Sequence, residues 1–251
     1  MADVRLVPCL NDNYAVLVHK GAETVLVDAP EAEPILAALA ETGWTLTRVL
    51  ITHHHADHVQ ALGKVRGNAV VYGPKAESGR IAGLDETLDD GAQIAFGPID
   101  VVTAATPGHT AGPLSYHLPG EGIAFTADTL FAMGCGRLFE GDAATMWASL
   151  RKLRAMLPDE TAIYCGHEYT LTNARYAAQA LPDDAAIAER LADVEAARSR
   201  GEPTVPTTMA LEKATNPFMR ADDPAVAQAL GMAGADPVDV FAKLRAGRDT
   251  F

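Results

Sequence analysis

Five side chains able to bind a metal ion lie close together inside this chain. They belong to the segment 52–58 and are His53, His54, His55, Asp57 and His58. Imidazole nitrogens and carboxylate oxygens are the donors that borderline cations such as zinc and ferrous iron prefer. The segment follows the apolar residues 49–51 in the interior of the chain, so a purification tag or an ordinary polar loop explains it poorly. We predict a metal site at a turn that follows a β-strand.

Three further segments have the same form, an apolar run that ends in a turn of small residues with a possible ligand. Their ligands are His109, Asp128 and His167, which follow the apolar runs 101–105, 123–126 and 162–164. A single such residue at a strand end is more often a turn residue or a cap. Four such segments in one chain are a stronger signal. Together they supply enough donors for two cations if one carboxylate bridges them.

These residues resemble the signature of the metallo-β-lactamase superfamily, a His-x-His-x-Asp-His run followed by a later His, Asp and His. Within the superfamily the chain is most similar to the glyoxalase II enzymes, the hydroxyacylglutathione hydrolases. The metal motif by itself indicates only the superfamily. The narrower resemblance rests on matches along nearly the whole chain, at residues 11–14, 106–110, 127–131, 134–141, 166–170 and 216–220.

The resemblance implies that two divalent metal ions share the ligands, with zinc favoured over iron or manganese. The first ion would be held by His53, His55 and His109, the second by Asp57, His58 and His167, and the bridge would be Asp128. No metal position departs from the family pattern. His54 is expected to point away from its neighbours and is left out. Asp57 can also be interpreted as the N-cap of a helix at residues 59–65.

The donor set predicts hydrolytic chemistry. Two cations about 3.5–4 Å apart can share a water, lower its pKa toward about 7 and polarise a carbonyl group. A metal-bound hydroxide would then be the nucleophile, with Asp57 and Asp128 as the catalytic carboxylates that hold the ions. Ser115 lies in a strand-like run and the cysteines fit no Cys-His-Asn pattern, which argues against covalent catalysis.

A thioester suits such a site because a thiolate leaves without a strong general acid. The resemblance implies hydrolysis of S-D-lactoylglutathione to D-lactate and glutathione, a step of methylglyoxal detoxification.

A glutathione thioester is itself negative, so a chain with a net charge of −13 needs a local cationic patch to bind it. The resemblance assigns the substrate contacts to Arg137, Phe139, Tyr169, Arg245 and Arg248. Arg137 and Arg248 stand where lysine is common, which keeps the charge and adds a forked donor. Phe139 stands where many members have tyrosine, so one hydroxyl contact is absent. Alternatively, Arg137 is a plain surface charge and the C-terminal pair is favoured by the helix dipole.

Composition restricts the class of protein. With 20 Lys and Arg against 33 Asp and Glu in 251 residues, the chain lacks the basic excess of a nucleic-acid-binding surface, so the nuclease branch of the superfamily is not expected. The sequence shows no run of about 18 apolar residues and no leader, so we expect no membrane association. Three widely spaced cysteines suit a reducing compartment. We therefore expect a monomeric cytoplasmic enzyme.

The elements that must position the ligands change in character near Thr170. Before it, short β-branched runs predict strands at 4–7, 15–18, 24–27, 49–52, 69–72, 99–103, 114–118, 123–126 and 162–164. Helical spacing in the same part appears at 31–41, 58–65 and 143–156, the last with Asp142 as N-cap. After it, Ala-rich segments predict helices at 171–180, 184–199, 224–230 and 237–246, with a loop at 201–208.

We therefore predict an α/β fold of two packed sheets with helices outside. In the resembled superfamily this is the αββα sandwich, with the metals at one edge. It would form a metal-binding catalytic domain at residues 1–170, and a small α-helical substrate-binding domain would follow at residues 171–251.

Other functions are open at this stage. A persulfide dioxygenase of the same superfamily would use a single iron and thiol substrates, and the scaffold could also serve a lactonase. The complete set of seven ligands and the tail that ends in Arg245 and Arg248 favour the thioester hydrolase. A non-catalytic metal module would tolerate the loss of ligands, and none is missing.

Overall fold

The computed structural model, which describes residues 1–251, divides the chain into two units. The first is formed by residues 1–106 and 110–127, and the second by residues 107–109 and 128–251. The segment 107–109 thus belongs to the second unit, although the chain on both sides of it belongs to the first. The boundary predicted near Thr170 lies inside the second unit and stays a prediction.

A six-stranded sheet in the first unit keeps its strands in sequence order. They are β1 (Asp3–Cys9), β2 (Asn13–Lys20), β3 (Glu23–Val27), β4 (Arg48–Leu50), β5 (Val70–Pro74) and β6 (Glu86–Leu88). The pairs β1–β2 and β2–β3 are antiparallel, whereas β3 to β6 run parallel. Because parallel strands end at the same edge of a sheet, the residues that follow β3 and β4 lie side by side. These are Asp28 and the segment that carries His53 to His58.

Parallel pairing requires crossover segments, and three helices lie in them. They are α1 (Ala32–Thr42), α2 (Ala56–Val59) and α3 (Leu62–Val65). Their apolar side chains, such as Ile35 and Leu62, are buried in one cluster with Leu17, Leu26 and Val49 of the sheet. This core fixes the sheet edge from which the histidine-rich segment departs.

Four further strands of the first unit are antiparallel neighbours in the order β10-β9-β8-β7. They are β7 (Gln93–Phe96), β8 (Ile99–Ala105), β9 (Leu114–Leu118) and β10 (Ile123–Ala127). From β9 the fully buried Tyr116 donates its hydroxyl to the carbonyl oxygen of Ile51 at 2.6 Å. Burial, and then the charge of Asp28, raises the pKa of this phenol well above its usual value, so the hydroxyl stays a donor.

His117, on β9, should make stability depend on pH. It is buried opposite Val102 and Ala124 of the adjacent strands, and burial lowers the pKa of its imidazole from 6.5. The unfolded chain therefore binds a proton here more readily, and stability falls as the pH drops below about 6.5. We therefore compare the free energy of unfolding of His117→Leu with that of the parent in urea titrations. The difference, variant minus parent, should increase as the pH is lowered from about 7.5 to about 5. A constant difference would contradict this role.

The second unit is mainly helical. Its strands are β11 (Leu130–Phe131), β12 (Gly134–Cys135), β13 (Ala162–Cys165) and β14 (Thr207–Thr208). Its helices are α4 (Ala143–Met156), α5 (Thr170–Ala180), α6 (Ala185–Ser199), α7 (Met209–Thr215), α8 (Pro224–Ala229) and α9 (Pro237–Thr250). The rings of Trp147, Phe218 and Phe241 pack together, with centroids 5.9 Å apart for the last two. None of the helices is long and apolar enough to cross a membrane.

All nine predicted strands are confirmed, as is Asp142 as the N-cap of α4, where its side chain accepts a hydrogen bond from Thr145. The helix predicted at residues 58–65 was wrong in extent, since two short helices, α2 and α3, replace it. The interpretation of Asp57 as an N-cap was also wrong, because α2 begins at Ala56 and has Asp57 in its first turn. Helix α7 and five strands of two to four residues were not predicted, and these strands are too short to show a period.

Candidate metal centre

Two predicted ligands of the first unit, His53 and His55, face each other directly. Nε2 of His53 lies 3.1 Å from Nδ1 of His55. Ligand nitrogens at the usual distance from a tetrahedral zinc ion would lie about 3.3 Å apart. His53 is buried and His55 is partly buried in the extended turn after β4. The spacing of these two nitrogens therefore fits two ligands of one ion.

The other two predicted ligands of this unit, Asp57 and His58, lie in the first turn of α2. Nε2 of His58 is 3.7 Å from Oδ2 of Asp57. Asn13, at the start of β2, donates from its side-chain amide to Oδ2 of Asp57 at 3.0 Å and to the Asp57 carbonyl at 3.2 Å. These bonds fix the carboxylate beside the buried His58.

Asp28, which was not predicted from the sequence, binds the same segment at Thr52 and His58. Its carboxylate accepts hydrogen bonds from the backbone N–H of Thr52 at 2.8 Å, from the Thr52 hydroxyl at 2.7 Å and from Nδ1 of His58 at 2.8 Å. A ligating histidine commonly donates its other ring N–H to such a carboxylate, which leaves Nε2 for the metal. The sequence does contain a sign of this role, because Asp28 directly follows the run 24–27, just as Asp128 follows the apolar run 123–126.

Two predicted histidine ligands of the second unit lie against the third predicted ligand, the carboxylate of Asp128. Oδ2 of Asp128 lies 3.3 Å from Nε2 of His109 and 3.3 Å from Nε2 of His167. All three residues are buried. Nδ1 of His109 donates to the Arg137 carbonyl at 2.9 Å, which fixes the tautomer that presents Nε2 to Asp128. The arrangement fits a carboxylate that shares metal ions with two histidines.

Gly136 permits this arrangement. A Cβ atom here would lie 1.9 Å from the Asp128 carbonyl oxygen and 3.2 Å from Cβ of His109. Backbone must therefore move in Gly136→Ala, and we expect destabilisation of about 3 kcal/mol together with weaker metal binding, measured by urea unfolding and by elemental analysis. Gly120→Ala, where a Cβ meets nothing within 4 Å, is the matched control. Parent-like values for both properties in Gly136→Ala would contradict the prediction.

The predicted cationic residues form one cluster at the C-terminal end of α9. Arg245 is buried and donates to the Cys135 carbonyl at 2.7 Å and to Asp249 at 3.0 Å. Arg248 donates from Nε to the side chain of Asn173 at 3.0 Å. Burial, then repulsion from Arg245 and Arg137, lowers the pKa of Arg248. Such mutual repulsion favours the binding of an anion.

Arg137 is the most exposed of the three arginines, with 63% of its side chain accessible. Its Nε lies 3.8 Å from Oδ1 of Asp249, the carboxylate that also pairs with Arg245. Asp249 was not predicted, although its spacing of four residues from Arg245 on a helix is a recognisable pairing signal. The substrate contacts of all three arginines stay predictions.

Two aromatic residues predicted to contact substrate lie against the predicted histidine ligands of the same unit. The Tyr169 ring stacks on His167 with centroids 4.7 Å apart and an interplanar angle of 6°, and Phe131 meets Tyr169 edge-on. The Phe139 ring is 5.2 Å from His109 and is 62% exposed. An exposed aromatic ring beside a ligand is a suitable wall for an organic substrate.

Two family models match the chain in succession. The model of the metallo-beta-lactamase superfamily matches residues 10–167. The model described as hydroxyacylglutathione hydrolase C-terminus matches residues 168–251. They meet close to the boundary predicted near Thr170.

Curated proteins are similar over nearly the full length. The hydroxyacylglutathione hydrolase of Mesorhizobium japonicum is 52% identical over 247 residues, which are 97% of this chain and 96% of that protein. The hydroxyacylglutathione hydrolase of Rhizobium meliloti is 52% identical over 249 residues, with the same coverage. Among solved structures, ETHE1 from Myxococcus xanthus is 26% identical with a TM-score of 0.66, and the match covers 98% of this chain and 99% of that one.

The chain thus has the predicted metallo-β-lactamase fold followed by a helical C-terminal part, and it carries histidine and aspartate groups able to bind metal ions. Full-length relatives at about half identity narrow the assignment further. The chain belongs to the hydroxyacylglutathione hydrolase, or glyoxalase II, family of the metallo-β-lactamase superfamily.

Proposed function

We propose that this protein hydrolyses glutathione thioesters, and that S-D-lactoylglutathione is converted to D-lactate and glutathione as a step of methylglyoxal detoxification. The observation that carries the proposal is the similarity, over 97% of the chain, to proteins named hydroxyacylglutathione hydrolase. The donor geometry within each unit supports it, because both units present histidine nitrogens and a carboxylate in arrangements typical of metal ligands.

We further propose that the ligands are shared as in the resembled family and that both ions are zinc. His53, His55 and His109 would hold one ion, Asp57, His58 and His167 the other, and Asp128 would contact both. When bound, the two ions would activate a water and polarise the thioester carbonyl. Zinc suits this set because most of its donors are neutral imidazoles, which are ordinary zinc ligands.

The chain's own residues would prepare the donors and orient the substrate. Asp28 holds the Nδ1 proton of His58, and the Arg137 carbonyl holds that of His109, so both Nε2 atoms keep their lone pairs. Arg137, Arg245 and Arg248 would bind the glycine carboxylate of glutathione, with Arg245 held in its buried position by the Cys135 carbonyl. Tyr169 would donate a hydrogen bond from its hydroxyl to the glycine end of glutathione, and Phe139 would supply apolar contact alone.

The alternative of a persulfide dioxygenase or a lactonase is not favoured, because the full-length relatives at about half identity are named hydroxyacylglutathione hydrolase. One experiment separates these functions. The purified protein should contain two zinc ions per chain by elemental analysis and should consume S-D-lactoylglutathione with release of one thiol per thioester. A single iron per chain, with oxygen consumption on a glutathione persulfide and no thioester hydrolysis, would overturn the proposal.

We also propose that the protein is a cytoplasmic monomer that binds neither nucleic acid nor membrane. The free, buried cysteines Cys9, Cys135 and Cys165 suit a reducing compartment, and the net charge of −13 disfavours a polyanion partner. Light scattering coupled to gel filtration should give the mass of one chain, 26.5 kDa. Twice that mass would refute the monomer.

A further inference from the structure

Glu77 is a buried carboxylate that the proposed ligand set does not use. It lies in the 3-10 helix Lys75–Arg80 after β5 and is only 2% exposed. Its Oε2 accepts hydrogen bonds from the backbone N–H of His54 at 2.8 Å and from Nδ1 of His54 at 2.7 Å. Its Oε1 accepts one from the backbone N–H of Gly112 at 2.9 Å. A carboxylate only accepts, so Nδ1 of His54 carries the proton.

These bonds all hold segments that adjoin metal ligands. His54 stands between His53 and His55, and Gly112 follows His109 by three residues in the sequence. The segment between β4 and α2 lies outside the strands, and neighbouring strands reach its backbone at the Ile51 N–H, which donates to the Tyr72 carbonyl, and at the Thr52 carbonyl, which accepts from the Leu114 N–H. Its N–H groups at Thr52 and His54 are bound by the carboxylates of Asp28 and Glu77.

Close packing fixes the position of Glu77 itself. A Cβ atom at Gly112 would lie 2.4 Å from Cβ of Ala76 and 3.4 Å from Cγ of Glu77. The Gly112 backbone therefore approaches the 3-10 helix as closely as a residue without a side chain can. A side chain at position 112 would push against the 3-10 helix, so glycine here allows the Gly112 N–H to reach the Glu77 carboxylate.

We propose that Glu77 is a positioning residue which, through His54, sets the separation of His53 and His55 and thereby the affinity of the metal ion they hold. His54 acts as the anchor of the metal-binding segment, which explains a third consecutive histidine where two ligands suffice. The proposal rests on the proposed metal site.

The test compares metal affinity in the parent, Glu77→Gln and Glu121→Gln, measured by competition with a chromophoric zinc chelator. A glutamine offers one acceptor oxygen and one NH₂ group, so the backbone N–H of either His54 or Gly112 loses its acceptor. We expect Glu77→Gln to bind one of the two ions about 10- to 100-fold more weakly. Glu121 is the matched control, since its carboxylate also accepts from a backbone N–H, that of Ala2, and from Lys20.

A second readout does not depend on activity. In cobalt-substituted protein, the visible absorption of the ion bound by His53 and His55 should change in Glu77→Gln and stay parent-like in Glu121→Gln. His54→Asn keeps the Glu77 bonds to both backbone N–H groups, so it provides a milder variant if Glu77→Gln does not fold. We expect His54→Asn to bind the same ion about tenfold more weakly.

The outcomes are separable. A parent protein that binds no metal would refute the proposed function. Normal affinity and normal cobalt absorption in Glu77→Gln and His54→Asn, beside a parent that binds two ions, would refute the role of Glu77 alone. An equal loss of metal in Glu121→Gln would show that general destabilisation, and not positioning, weakens the site.

Discussion

Asp128→Asn should lower kcat/KM for S-D-lactoylglutathione by at least about 10³-fold and reduce the metal content below that of any single histidine variant. Oδ2 of Asp128 lies 3.3 Å from the Nε2 atoms of both His109 and His167, so this one carboxylate adjoins two of the proposed ligands. The amide keeps the volume of the side chain and removes its negative charge. The loss should therefore report on metal binding and not on packing. Elemental analysis and steady-state kinetics measure the two effects.

Asp184→Asn is the control for general damage to the same unit. Asp184 also forms several hydrogen bonds, to the backbone at the start of α6 and to Arg220, but it adjoins none of the proposed ligands. Its variant should lose stability while keeping its metal. Normal metal content and turnover in Asp128→Asn would refute the binuclear site with a bridging aspartate.

The double variant Arg137→Ala/Arg248→Ala should raise KM for glutathione thioesters by about 10- to 100-fold while kcat changes little. Each charge-assisted hydrogen bond to a carboxylate contributes about 1.5–3 kcal/mol where it is shielded from water, and the exposure of Arg137 reduces this value. Arg245 is left in place because its guanidinium holds the Cys135 carbonyl, so its removal would also disturb β12. Initial-rate kinetics across substrate concentration separate KM from kcat.

Two controls make this prediction specific to the substrate. Arg175→Ala removes an exposed arginine of the same unit that pairs with Glu195, and it should leave KM unchanged. A thioester without the glycine carboxylate should be insensitive to the double substitution. Added salt should weaken binding in the parent more than in the variant, since the attraction is partly screened by ions. An unchanged KM in the double variant would mean that these arginines do not bind substrate and only interact with the C-terminal end of α9.

Short-range features of the sequence determined the strands, the longer helices and the donor set. Strand periodicity and the Asp142 cap depend on neighbours a few residues away, so Leu114–Leu118 and Ala143–Met156 were predicted with the observed bounds. The residue types of the segment 52–58 predict a metal site directly, because few other structures require four imidazoles and a carboxylate together.

Tertiary structure alone decided which side chains hold those donors in place. Asp28 and His58 are 30 residues apart, Glu77 and His54 are 23 apart, and Arg245 and Cys135 are 110 apart. The local pattern can mark a single residue, as the end of a strand marks Asp28, but it does not identify the distant partner of that residue. Burial turns such residues into obligatory partners, since a charged group removed from water must find its hydrogen bonds within the fold. The sequence therefore determined the chemistry of the site, and the packing of distant segments decided its geometry.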